Sequence, residues 1–333
     1  MGNDSFKALW VESTGEKQFS QQIIDRPINS LPDHPLRVAV QYSSLNYKDA
    51  LSAFGVPGVT REYPHTPGID VAGTVIEDRS GKFKVGEEVI VCGYDLGMNT
   101  SGGLSQRIHV PSEWAVALPG NLSLRDSMVI GTAGFTAALC VQKLLRMGAK
   151  PEDGEVLVTG ATGGVGTFSI AILSKLGFSI AALTGKTDQE QTLKSLGASQ
   201  IVARETLSAP NPRPMAKPIW AHAVDCVGGD ILSNLIKAIR YGGSVAACGL
   251  ASSPNITATV LPFILRGVNL LGVDCVELPL AQKAANWQCL ASEFKLDRLA
   301  EMAEEITLAQ TPAYLGRFLN GQVFGRYVVN VNR

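Results

Sequence analysis

The sequence predicts an α/β protein in which a doubly wound parallel sheet is joined to an irregular β-barrel, and three observations predict it. The first 125 or so residues read as short apolar runs punctuated by Gly and Pro. From about Met128 the pattern changes to alternating strand-length and helix-length segments, the mark of repeated βα units. Within that region Val156-Leu-Val-Thr-Gly160 leads into Ala161-Thr-Gly163-Gly164-Val165-Gly166. An amphipathic stretch follows with Ile170, Leu173 and Leu176 on one stripe. At 333 residues the chain exceeds the size at which one core stops growing. Two domains are expected, one of 1–127 with 277–333 and one of 128–276.

In the first part, strands are expected at Lys7–Val11, Leu36–Ser43, Val71–Glu77, Glu87–Cys92 and Leu104–Val110, with a helix from Tyr47 to Phe54 and Asn46 as its N-cap. In the second part, strands are expected at 155–160, 179–184, 200–203, 222–226, 243–248 and 268–273. Helices are expected near 132–147, 163–176, 188–196 and 230–240. The run Ser208–Pro218 has four prolines and reads as an extended loop joining two half-folds. After Val276 a helix-rich segment leads to a final strand, Arg326–Val331, that returns to the first domain.

Composition excludes several function classes. With 29 basic and 30 acidic residues there is no charge excess to hold nucleic acid or an anionic membrane. The longest uncharged stretch, Tyr241–Leu265, is broken by Gly, Ser, Asn and two prolines and does not read as a membrane span. No basic n-region and apolar h-region opens the sequence, so secretion is not expected. Six single cysteines (92, 140, 226, 248, 275 and 289), without a C-x-x-C, read as small buried thiols in a reducing cytoplasm.

Ala161-x-Gly163-x-x-Gly166 keeps the spacing of a dinucleotide fingerprint. Glycines let the backbone approach a pyrophosphate, and a helix start offers free N–H groups. The second strand of the unit ends in Thr184-Gly185-Lys186, roughly 20 residues on, where an NAD site carries Asp or Glu for the ribose hydroxyl. A hydroxyl, a small residue and a cation suit a 2′-phosphate instead, and Arg204 offers a second cation. NADPH is the expected cofactor.

The chain resembles the medium-chain dehydrogenase/reductases through Pro67-Gly-Ile-Asp-Val-Ala-Gly-Thr74, Gly86-Glu-Glu-Val-Ile-Val and the glycine turn. Several segments are similar to the acryloyl-CoA reductase branch of the quinone oxidoreductase group. They are Ser44–Leu51, Thr184–Lys186, Tyr241–Leu250, Leu261–Arg266 and Gly272–Cys275. The resemblance implies a GroES-like barrel beside a Rossmann-type domain. It also implies NADPH-dependent reduction of the C=C bond of an α,β-unsaturated acyl-CoA, acryloyl-CoA to propionyl-CoA. An NADPH:quinone or general enone reductase is the alternative, and a silent NADPH-binding protein is a reading from another class. Zinc-dependent relatives place Cys near position 46 and Gly-His-Glu where this chain has Gly68-Ile69-Asp70, so no metal is expected. His65 and His109 are read as surface or loop histidines.

The polar site expected from this resemblance comprises Asn46, Tyr47 and Asp70. Asn46 either donates to the substrate carbonyl or only caps its helix. Tyr47 acts as an acid or lies along the nicotinamide ribose. Asp70 orients Asn46 or accepts a loop N–H. The family's cofactor contacts fall on Thr162, Gly163, Gly164 and Val165 at the pyrophosphate, and on Thr184, Gly185, Lys186 and Arg204 at the adenosine phosphate. Leu250, Ile264 and Cys275 fall on the nicotinamide side, and Asn320 over the cofactor. Lys186 stands where the branch often has Arg, and Cys275 where it has Ser. The strand at 268–273 is expected at a sheet edge, where an open ladder would pair two copies into a homodimer.

Overall fold

Two antiparallel strands, β1 (Ser5–Gly15) and β2 (Gln18–Pro27), open the computed structural model, which describes residues 5–333. The chain divides into two units: one runs to Thr132 and resumes at Cys275–Arg333, and the other is Ala133–Asp274.

In the first unit, β3 (Leu36–Ser44), α1 (Tyr47–Ala53), β4 (Asp70–Asp78), β5 (Glu88–Cys92), β6 (Arg107–Val110) and β7 (Ala115–Ala117) follow in order. Helix α2 (Leu124–Arg146) carries the chain onward and is broken at Gly131, which has φ 49° and ψ −163°. Strand β3 organises this unit: it pairs antiparallel with β4 along most of its length and with β6 at its start. Its alternate residues Val38 and Val40 join Val71, Val75, Val89, Val91 and Ile108 in the core, the period of two that a half-buried strand requires.

The second unit holds β8 (Val156–Thr159), α3 (Gly164–Lys175), β9 (Ile180–Thr184), α4 (Glu190–Ser195), β10 (Gln200–Ala203), α5 (Glu205–Ser208), β11 (His222–Asp225), α6 (Gly229–Ala238), β12 (Ser244–Ala247), α7 (Leu261–Arg266) and β13 (Asn269–Gly272). All pairings are parallel, in the order β10-β9-β8-β11-β12-β13. Numbered within the unit this is 3-2-1-4-5-6, the doubly wound order, with β13 at the edge. Strands β8, β9 and β11 are buried throughout, as central parallel strands covered on both faces must be.

Back in the first unit, α8 (Leu280–Ala291), β14 (Ala303–Thr307), α9 (Thr311–Leu319) and β15 (Arg326–Asn330) complete the chain. β15 pairs with both β14 and the end of β3.

Several expectations are corrected. β2 was not among the expected strands: its sequence Gln-Phe-Ser-Gln-Gln-Ile-Ile-Asp-Arg-Pro lacks alternation, and only pairing with β1 reveals it. The break at Gly131 divides α2 in two: the second stretch is the helix expected from 132, and the first, from Leu124, was not expected. The backbone N–H of Asp126 donates to Ser123 Oγ (3.0 Å), and Ser123 Oγ donates to Asp126 Oδ2 (2.7 Å), a start signal the apolar pattern hid. β14 lies inside the segment read as helix-rich. His65 and His109 are buried, their rings bonded to Gly97 O (3.0 Å) and Pro32 O (3.1 Å). Of the six cysteines only Cys92 and Cys140 are buried; the rest are half-buried. Helix α2 is long and apolar enough to cross a membrane by length and composition, but 72% of its most apolar window is buried, as in a core helix.

Candidate active site

Three strand ends converge in the first unit. β3 finishes at Ser44, β4 begins at Asp70 and β15 begins at Arg326, and their pairing aligns Ser43 with Val71 and Ser44 with Val328. Asp70 is fully buried, and its Oδ2 accepts from Ser44 Oγ (2.6 Å), Asn46 Nδ2 (2.8 Å) and the Thr132 N–H (2.9 Å). Its Oδ1 accepts from Thr132 Oγ1 (2.6 Å). Arg326, also buried, donates to Asn46 Oδ1 (3.0 Å), Leu45 O (3.0 Å), Ser44 Oγ (2.7 Å) and Val129 O (3.2 Å), with Nη2 3.7 Å from Asp70 Oδ2. A buried cation and carboxylate so thoroughly bonded satisfy the condition under which burial of charge is tolerated.

Asn46 is the N-cap residue of α1, and its side chain is held at both ends. Its amide oxygen faces a donor, Arg326, and its nitrogen an acceptor, Asp70, which fixes the amide orientation. Its remaining Nδ2 hydrogen has only a long 3.4 Å contact with Ser44 O. Helix α1 is capped from the other side, where the Asn46 backbone N–H donates to Asp49 Oδ2 (2.7 Å). Asp49 also accepts the Ile69 N–H (2.9 Å), and burial, reinforced by the nearby Asp70 charge, pushes its carboxyl up to about 7. Tyr47 is 44% exposed, and among the described residues its hydroxyl takes no hydrogen bond.

Gly131 makes this cluster possible. A Cβ there would lie 2.2 Å from Arg326 Nη2, 2.6 Å from Ser44 Oγ and 2.7 Å from Asp70 Oδ2. Neither Arg326 nor Gly131 was singled out from the sequence: Arg326 registers there only as the first residue of a strand.

In the second unit the glycine turn fits a dinucleotide. The Gly163 N–H donates to Gly160 O (2.9 Å), and a Cβ on Gly166 would lie 2.4 Å from Gly160 O, so only glycine lets α3 start this close to the strand end. Thr162 is buried, while Gly163, Gly164 and Val165 are half-buried at a helix start whose first N–H groups have no partner within the helix. Thr184, Gly185, Lys186 and Arg204 come together. The Arg204 N–H donates to Thr184 O (3.0 Å), the Lys186 N–H to Thr184 Oγ1 (3.0 Å), and the Arg204 guanidinium lies 2.9–3.1 Å from where a Gly185 Cβ would be. Partial burial lowers the Lys186 ammonium pKa, and Arg204 forms no ion pair among the described residues. Two cations over one strand end fit a ribose phosphate.

Leu250 and Ile264 are exposed on the second unit, whereas Cys275 (half-buried) and Asn320 (exposed, closing α9) belong to the first. Sequence reading missed Asp225, which is buried at the end of β11. It accepts from Thr159 Oγ1 (2.6 Å) and the Gly228 N–H (2.9 Å) and so ties β11 to β8 behind the glycine turn. No group of three or more His, Cys, Asp or Glu that could hold a metal occurs among the described residues.

Residues 32–120 match the alcohol dehydrogenase GroES-like domain and residues 164–294 the zinc-binding dehydrogenase model. The chain belongs to the medium-chain dehydrogenase/reductase family. It is 44% identical to acrylyl-CoA reductase AcuI of Ruegeria pomeroyi over 98% of this chain and 99% of that protein. It is also similar to the yhdH oxidoreductase of Salmonella enterica in complex with NADP (TM-score 0.94, 44% identity, 98% and 99% of the two chains). Bacillus subtilis yhfP, a putative quinone oxidoreductase solved with NAD bound, matches with TM-score 0.95 and 43% identity over 99% and 100% of the chains.

Proposed function

We propose that the protein reduces the C=C bond of an α,β-unsaturated acyl-CoA, acryloyl-CoA to propionyl-CoA, using NADPH. The observation that carries this reading is the end-to-end likeness to a protein named acrylyl-CoA reductase. The cations at Thr184–Lys186 and Arg204 support the choice of NADPH, as does the NADP complex of the Salmonella relative. In this reading residues 128–276 bind the cofactor, and 1–127 with 277–333 supply the catalytic groups.

Bound at the glycine turn, NADPH supplies the hydride that reduces the substrate β-carbon. The backbone N–H groups of 162–165 would hold its pyrophosphate, and Lys186 and Arg204 would hold its adenosine phosphate. Leu250, Ile264, Cys275 and Asn320 are the further cofactor contacts of this reading. Reduction at the β-carbon moves an electron pair toward the thioester oxygen. The free Nδ2 hydrogen of Asn46, held by Asp70 and Arg326, donates to that developing oxyanion, a contribution of a few kcal/mol for a preorganised donor. Tyr47 contacts the nicotinamide ribose or delivers the proton to the α-carbon.

The test is NADPH consumption with acryloyl-CoA, crotonyl-CoA, a naphthoquinone and a simple enone, together with Asn46→Ala and Asp70→Ala. Preferred turnover of the CoA esters with both variants impaired is expected. Preferred turnover of the quinone would establish the second reading, which the name of the Bacillus relative favours. Wild-type turnover in both folded variants would remove the catalytic assignment.

The exposed Leu270 on edge strand β13, with exposed Val260, Ile264 and Leu265 nearby in sequence, supports a homodimer formed by pairing of that edge. Light scattering at micromolar concentration tests it, a monomer being the contrary result. Reduced cysteines and balanced charge support a cytoplasmic enzyme without nucleic-acid or membrane partners; cell fractionation tests this.

A further inference from the structure

The cysteines look isolated in the sequence, yet two of them stand side by side in the second unit. β11 and β12 pair in parallel with Ala223 opposite Val245, Val224 opposite Ala246 and Asp225 opposite Ala247. Cys226 and Cys248 are the next residues on each strand, and the Cys248 N–H donates to Asp225 O (2.9 Å), so the ladder continues to this pair. Their sulfurs lie 3.8 Å apart, with the Cys248 thiol also 3.4 Å from Asp225 O. Adjacent strands are about 4.8 Å apart, inside the Cα separation of roughly 4.4–6.8 Å that a disulfide spans. Closing the sulfurs to about 2.05 Å therefore needs side-chain rotation rather than strand movement.

Both residues are half-buried, whereas Cys140, the third thiol near this pair, is fully buried. The position matters as well. A Cβ on Gly160 would meet Cys226 Cβ at 3.4 Å, and Gly249 rests on the Cys226 backbone. The pair thus lies beside the glycine turn, at the carboxyl ends of the strands where open α/β sheets bind their ligands.

We propose that Cys226 and Cys248 form a redox pair that hydrogen peroxide converts to an intramolecular disulfide. The Cys248 thiolate attacks one peroxide oxygen, the O–O bond breaks, and a sulfenic acid and hydroxide result. The hydroxide takes up the proton that Cys248 released. Cys226 sulfur then attacks the Cys248 sulfur: the S–S bond forms, the S–O bond breaks, and water leaves with the Cys226 proton. Two thiols lose two electrons, and the peroxide becomes two waters. Two neighbouring thiols, Cys140 and Cys226, stabilise the Cys248 thiolate and hold its pKa well below that of an ordinary cysteine, which makes it the attacking sulfur.

The test treats the full chain with stoichiometric hydrogen peroxide, alkylates the remaining thiols and maps non-reduced peptides by mass spectrometry. A Cys226–Cys248 linked peptide that dithiothreitol reverses is expected, and it disappears in Cys226→Ser and in Cys248→Ser. A Cys140–Cys248 link, or alkylation of Cys226 and Cys248 as complete as in the untreated protein, would overturn the pairing. A further arm rests on the proposed NADPH site: saturating NADP+ slows the linkage several-fold. Linkage at an unchanged rate would count against a dinucleotide covering these residues, while the linked peptide itself would still establish the pair.

Discussion

Replacing Gly131 by Ala tests the fold and the site in one substitution. The backbone at 131, φ 49° with ψ −163°, lies in a region that a side chain occupies only under strain, costing about 1–3 kcal/mol. The added Cβ would also fall within 2.7 Å of Arg326 Nη2, Ser44 Oγ and Asp70 Oδ2, all buried and none at the end of a loose solvent-facing chain. Moving them apart sacrifices at least one hydrogen bond to a charged group, roughly 1.5–3 kcal/mol. The sum is about 2.5–6 kcal/mol, a large part of a stability of ~5–15 kcal/mol. Gly81→Ala is the control: its φ is +75°, but nothing lies within 4 Å of the new Cβ, so it carries strain alone. Urea unfolding followed by tryptophan fluorescence reads mainly the first unit, which holds Trp10, Trp114 and Trp287. Gly131→Ala is expected to lose more than Gly81→Ala by the displacement cost, and to lose turnover as well. Equal losses in the two variants, with turnover intact, would refute the account of the cluster.

Other expectations follow from the same geometry. Lys186→Gln and Arg204→Gln should each raise the KM for NADPH about tenfold, roughly 1.4 kcal/mol, while leaving that for NADH unchanged; parallel changes for both cofactors would contradict a phosphate site. Lys283 is buried with Nζ on Cys92 O (2.7 Å) and Val276 O (2.9 Å), so Lys283→Met strands two carbonyls and should cost about 2–4 kcal/mol in urea unfolding, an unchanged midpoint being the contrary result. The Asp49 carboxyl, near 7 when folded and about 3.9 when unfolded, keeps a proton in the folded state that the unfolded chain has lost. Its contribution is therefore present below the unfolded value and fades as pH rises toward 7. Wild-type stability measured against Asp49→Asn should fall across that window, and a constant difference would show that Asp49 does not titrate there.

What the sequence disclosed was local. The glycine turn, the strand before it and the helix after it are contiguous, so their chemistry lies in one window. The two cations at the end of β9 could be read because strand ends and loop starts follow one another in a βα unit. Arg326 could not, because its partners Asn46 and Ser44 lie some 280 residues away and meet it only through pairing of β15 with β3. Gly131 was hidden in an apolar helix, where its conformation leaves no compositional trace. Lys283 has its carbonyl partners Cys92 O and Val276 O from outside its own helix, one of them 191 residues away. Cys226 and Cys248 are 22 positions apart, and only a parallel register makes them neighbours. In each case the missing information was a long-range pairing, which local pattern does not encode.

The bonding of Asp70 decides what kind of group it can be. Ser44 Oγ, Asn46 Nδ2 and the Thr132 N–H all converge on Asp70 Oδ2, and Thr132 Oγ1 takes one lone pair of Oδ1. Oδ2 can take a further partner only by releasing one of its three donors, which would then be buried without a partner at a cost of about 1–3 kcal/mol. Arg326 Nη2 lies 3.7 Å from the same oxygen. Asp70 is therefore a positioning residue that fixes Asn46, and Arg326 does the same from the amide oxygen side. With both ends of the amide held, the one Nδ2 hydrogen left without a short partner has a direction set by the protein rather than by the substrate. On the proposed reaction, that hydrogen is where a thioester oxygen gains its donor. On the same proposal, the proton for the α-carbon comes from the Tyr47 hydroxyl or from water.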